Sequence, residues 1–116
     1  MSMRLITAPI SKAELAQLAK ETFGDMVKAV VDIERKITAV GGELHSDAEA
    51  WMIEKGSEQK NLWGINLYPE NSNEEWIEFD SMINVRPSHG NRSREVEDPE
   101  IKEKIKNIVQ TLVLNK

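Results

Sequence analysis

The chain reads as an α+β domain: a curved antiparallel sheet of four to five strands with helices packed on one face, in the order β-α-β-β-α-β-β-α. Three observations predict this class. One central run sets Trp63, Ile65 and Leu67 against Gly64, Asn66 and Tyr68. A second sets Ile77, Phe79, Ile83 and Val85 against Glu78, Asp80, Asn84 and Arg86. Successive strand side chains point to opposite faces, so each run has an oily side and a wet side. Third, helical segments with start signals flank these runs, and the short connections favour antiparallel neighbours.

Taken in order, Arg4 to Ala8 forms a short first strand. Ser11 and Glu14 have capping-box spacing, and Ile10 with Leu15 can staple the entry of a helix. Leu15, Leu18 and Ala19 supply its apolar stripe, and Gly24 stops it. Val27, Ala29, Val31 and Ile33 alternate with Met26, Lys28, Val30 and Asp32 as a strand. Glu34 to Lys36 make the turn, and Ile37 to Val40 return. Gly41 and Gly42 predict a bulge or a close backbone approach.

Ser46 and Glu49 repeat the capping-box spacing, which predicts a short helix over Asp47 to Lys55 that ends at Gly56. A strand over Leu62 to Tyr68 follows, then a loop over Pro69 to Asn73. Trp76 to Arg86 is the longest predicted strand, ended by Pro87, which lacks a backbone donor. Trp76 falls on its polar parity, so an exposed indole suited to an interface is expected there, while Trp51 and Trp63 read as packing residues. Asp98 caps the last helix, with Pro99 at its first position. Ile101, Ile105, Ile108, Val109 and Leu112 form its stripe.

At 116 residues the chain is long enough for one core and too short for two, so residues 1–116 are expected to be a single domain. No apolar stretch approaches the roughly 20 residues of a membrane span, and no secretory signal opens the chain. The absence of cysteine excludes disulfides, a thiolate nucleophile and sulfur-ligated zinc, and a cytoplasmic address fits best. A net charge of −5 opposes nucleic acid as a partner. Locally the balance reverses: Arg86, Arg92 and Arg94 are three of five arginines and lie in nine residues without an acid.

Three constellations could carry chemistry. The wet sheet face presents Lys28, Asp32, Asn66, Tyr68, Glu78, Asp80, Asn84 and Arg86. Such a face is commonly just solvated, but Asp and Asn are depleted in strands, which points to a ligand site or polar interface. The second runs Arg86-Pro87-Ser88-His89-Gly90-Asn91-Arg92-Ser93-Arg94. Guanidinium forks match carboxylate or phosphate oxygens, and Ser88 and Asn91 can complete an anion pocket. The plainer alternative is a loop stapled by its arginines to acids such as Glu95 and Glu97. The third joins Glu43, His45 and Asp47 to Asp32. Asp32, Glu43 and His45 are acceptable metal ligands and His45 a candidate base, but no second histidine stands at metal spacing, so no metal site is assigned.

Several strings together resemble a small uncharacterised prokaryotic family, a domain of unknown function. They are residues 27–34, Gly41-Gly42-Glu43-Leu44-His45, residues 62–69 and 77–84, Arg86-Pro87-Ser88, residues 90–94 and residues 96–101. The resemblance spans nearly the whole chain and implies one domain with no established activity, substrate or cofactor.

The expected function is therefore binding of a small anionic or phosphate-bearing ligand by Asn66, Asp80, Asn84, Arg86, Ser88, Asn91, Arg92 and Arg94. The second reading is an acid–base or metal-assisted hydrolase using Glu43, His45, Asp32 and Asp80. The third is a homo-oligomeric interaction module meeting its partner through the polar sheet face or a strand edge. No pattern specifies a cofactor.

Overall fold

The computed structural model describes residues 3–71 and 74–114. Part of the predicted Pro69–Asn73 loop lies outside them. The elements are β1 (Arg4–Ile6), β2 (Ile10–Ser11), α1 (Lys12–Lys20), β3 (Val27–Asp32), β4 (Ile37–Val40), α2 (His45–Glu54), β5 (Leu62–Leu67), β6 (Ile77–Glu78), α3 (Pro99–Leu112) and β7 (Val113–Leu114). Five strands form an antiparallel sheet in the order β1-β4-β3-β5-β6. A parallel pair, β2 with β7, matches Ile10 to Val113 and draws the start and end of the chain together. The α+β class is thus as expected.

The first sheet face behaves as the oily runs predict. Val27, Ala29 and Val31 of β3, with Trp63, Ile65 and Leu67 of β5, form one cluster with Leu15 and Ala19 of α1 and Ile105, Ile108, Val109 and Leu112 of α3. Caps hold as predicted: the Ser11 hydroxyl accepts from the Glu14 amide, and the Asp98 carboxylate accepts from the Glu100 amide ahead of Pro99.

Helices do not keep to that face. Ala48 and Met52 of α2 pack on Val30, Ala39 and Leu62, which belong to the opposite face. The middle of the expected wet face is therefore covered. Two details of β5 permit this. Gly64 has no side chain, and Asn66 is 6% exposed with its amide engaged. The alternation was real, but it reflected room for a close neighbour rather than water.

That neighbour accounts for the second difference. The strand expected over Trp76–Arg86 pairs with β5 only at Ile77–Glu78, and its far end makes one isolated bridge, Arg86 to Asn91. The Ser81 hydroxyl accepts from the Ile83 amide and starts a single 3-10 turn over Met82–Asn84. The chain then lies against β5 through side chains: Asn84 Oδ1 accepts from Gly64 N at 2.8 Å, and Asn84 Nδ2 donates to Gly64 O at 2.9 Å. One amide side chain thus replaces a strand partner. Trp76 is buried, with the Lys12 ammonium 4.4 Å from its ring centroid, so the exposed indole expected there is absent.

Helix α2 begins at His45 rather than Asp47, and its N-cap, Leu44, makes no side-chain cap bond. The His45 ring is buried and bonds the Ile65 carbonyl at 2.8 Å, which anchors the first turn from within. Ser46 and Glu49 are therefore not a capping box; Glu49 turns to Arg86 instead. Gly41 and Gly42, both at positive φ, take the chain off the end of β4 rather than forming a bulge inside it. A Cβ at Gly42 would stand 3.2 Å from Met3 Cγ, the close approach the pair predicts.

Candidate functional site

The polar end of the covered face collects His45, Asn66, Tyr68, Glu78, Asp80 and Arg94. Asn66 on β5 donates to the Glu78 carboxylate at 2.8 Å and to the Asp80 carbonyl at 3.2 Å. Tyr68 Oη donates to the same Glu78 oxygen at 3.4 Å, and burial with the Glu78 charge raises the phenol pKa. Asp80 accepts from Arg94 Nε at 2.6 Å in a pair about half exposed on both sides. Burial lowers the His45 pKa, opposed by the Ile65 carbonyl. The neutral ring must then carry its proton on Nε2, facing that carbonyl. Lys28 disfavours a second proton on His45 and Asp80 favours it.

The loop that follows is built around Asn91, which is 4% exposed. Its Nδ2 donates to the carbonyls of Asn84, Ser93 and Glu95, and its Oδ1 accepts from the Glu97 amide. Arg86 and Asn91 exchange both backbone hydrogen bonds across the loop. A single buried asparagine therefore fixes both strands of this loop.

The three arginines divide sharply. Arg86 is partly buried, with its side chain turned inward: it pairs with Glu49 at 3.4 Å, donates to the Leu62 carbonyl and lies over the Trp63 ring. Burial lowers its pKa and Glu49 offsets part of that. Arg94 is exposed and holds Asp80. Arg92 is exposed and makes no ion pair among the described residues. Its backbone does meet an anion: the amides of Arg92 and Ser93 donate to one Glu97 oxygen at 2.9 and 2.7 Å. Hydrogen bonds from Ser93, with a smaller contribution from Arg92, hold the Glu97 carboxyl below the usual glutamate range.

The expected ligand residues therefore fall into two groups. Asn84, Arg86 and Asn91 are occupied inside the protein. Asp80, Ser88, Arg92 and Arg94 are solvent-accessible, and of these Arg94 and Asp80 are in contact, while Asn66 is buried beneath Asp80 and donates to its carbonyl. Tyr68 and Glu78, which strand parity puts on the same face but which are not among the expected ligand residues, also belong to this cluster. The stapling of the loop to acids by its arginines is seen for Arg86 with Glu49 and Arg94 with Asp80, but not with the nearby Glu97, which accepts from backbone amides, or Glu95, which pairs with Lys102.

The expected acid–base and metal set does not assemble. Asp32 is fully buried and caps the β3–β4 turn, accepting from the amides of Glu34 and Arg35 and from Ser57 Oγ. It lies four strand positions, about 13 Å, from Lys28, whose register partner is Asn66. Glu43 is exposed and lines a separate groove with Asp47, Trp51 and Glu54. Asp80 bears on His45 only through a weak electrostatic influence, and no hydrogen bond or ion pair joins them among the described residues. Among the described residues, no three histidine or carboxylate side chains gather as a metal would require.

A family model described as a protein of unknown function (DUF5674) matches residues 4–112. No curated protein and no solved structure matches the chain. Among the described residues, no helix is long and apolar enough to cross a membrane.

Proposed function

The chain belongs to DUF5674, a family of proteins of unknown function, so its activity must be read from its own residues, and we propose that it binds a small anionic or phosphate-bearing ligand on the outer surface of the 86–94 loop. Arg92 and Arg94 are the cationic anchors, Ser88 adds a hydroxyl, and Asp80 fixes orientation, with the buried Asn66 supporting Asp80 through its carbonyl. Asn84, Arg86 and Asn91 serve from behind by holding the loop in shape.

One observation carries this reading: the Arg92 and Ser93 amides already hold a carboxylate, that of Glu97. Backbone donors converging on one oxygen are a recurrent anion cradle. A ligand anion there would compete with Glu97 and gain the free Arg92 fork. Arg94 is available as well, because exposed ion pairs such as Arg94–Asp80 are worth only about 0–1 kcal/mol.

Thermal denaturation with inorganic phosphate or succinate, against chloride at matched ionic strength, tests the proposal. Phosphate should raise the wild-type Tm, and the Arg92→Ala, Arg94→Ala double variant should lose that gain while unfolding normally without ligand. Phosphate stabilisation that survives in the double variant contradicts it.

A second reading rests on the buried His45, held by the Ile65 carbonyl and with its pKa lowered by burial, as a desolvated base. It predicts turnover of an activated phosphoester that falls in His45→Ala and Asp80→Ala. Turnover unaffected by both variants would remove it.

A further inference from the structure

A second cleft, of about 630 Å³, lies between α3 and the β3–β4 turn. Its volume is within the roughly 300–1,000 Å³ typical of small-molecule sites. Ile33 lines it with Ile108 and Leu112, the latter two the outer edge of the core cluster at 7% and 5% exposed. Lys36, Lys104 and Glu34 supply its charge. Among the described residues neither lysine is in an ion pair, in a chain with 20 acids and 15 bases.

Lys36 is notable for its backbone too. It is the one described non-glycine residue at positive φ, 58°, closing the turn through its amide to the Asp32 carbonyl at 2.9 Å. Glycine or asparagine suits that position without strain. A residue held against its local preference at a cleft is a recognised mark of a site. The turn itself does not need the ammonium group.

We propose that this cleft binds a small amphipathic monoanion, an apolar chain or ring bearing one carboxylate. Ile33, Ile108 and Leu112 take the apolar part, and Lys36 with Lys104 takes the charge. Charge complementarity selects this occupant: two lysines and one glutamate leave a single net positive charge, which suits one carboxylate better than a phosphate dianion. A neutral apolar ligand would leave both ammonium groups unanswered.

Decanoate, held below its micellar concentration, is the probe, titrated against the labelled protein by amide NMR. Saturable shifts are expected at Lys36, Lys104, Ile108 and Leu112, with much weaker binding of decanol and of acetate. Lys36→Gly and Lys104→Ala should each weaken decanoate roughly tenfold, the loss of one charge-assisted contact. Because glycine adopts the left-handed conformation freely, Lys36→Gly should also raise the Tm, so its loss of binding cannot come from unfolding. Shifts that map elsewhere, binding that never saturates, decanol binding as tightly as decanoate, or undiminished decanoate binding in both variants each overturns the proposal.

Discussion

A methyl group added at Gly64 would stand 2.6 Å from Ser81 Cβ and 3.0 Å from Ile83 Cγ1, although the glycine lies outside the left-handed region. The constraint is proximity, not conformation. Gly64→Ala should therefore lower stability by about 1–3 kcal/mol in urea denaturation, with part of the loss recovered in a Ser81→Gly background. Equal losses in both backgrounds would contradict direct contact. His45 gives a pH signature at the same scale. Its native pKa lies below the ordinary histidine value of 6.5, so the unfolded chain binds a proton first as the pH falls. The histidine term should thus leave stability level above that value and erode it below. His45→Gln should flatten the Tm decline between about pH 7.5 and pH 5.5, and identical slopes for both proteins would refute the assignment. Strand parity correctly placed Asn66 opposite the oily positions of β5, but it does not apply to Asn84, which lies on a turn where Ile83 packs on the α2 side. It could not reveal that a neighbouring segment covers Asn66, because periodicity reports direction and not what lies beyond.

Among the elements, α1 and α3 are the most legible, since cap and stripe agree in each. The start of α2 was not, because the buried His45 ring and its bond to Ile65 are tertiary facts that override a capping-box spacing. The long strand ending at Arg86 failed for a related reason. Ser81 caps a turn locally and Asn84 imitates a strand edge with its side chain, and alternation alone cannot distinguish that from a ladder. The arginine loop behaves as an element through Arg86. Removing Glu49 would strand a buried guanidinium, so Glu49→Ala should destabilise by about 3–5 kcal/mol. Asp80→Ala, which frees an exposed partner, should cost about 0–1 kcal/mol. Similar urea midpoints for the two variants would show that the inner and outer arginines do not differ in this way.

For the whole molecule, helices on both sheet faces leave the rim as the place where polar groups meet solvent. The polar face expected to receive a partner is largely covered by α2 and the Met82–Asn84 turn, so self-association would have to use a strand edge or the outer helices. A chain of net charge −5 gathers exposed cations beside a cradle that already holds a carboxylate. Composition showed the local charge reversal, but the division of labour among three arginines depends on burial. The most direct measurement is an amide NMR titration with inorganic phosphate at constant ionic strength. Saturable shifts centred on Arg92, Ser93 and Arg94 and reaching Asp80 are predicted, with Arg86 and Asn91 little changed. Shifts absent from those three residues, or rising linearly across the surface without saturation, would contradict an anion site on this loop.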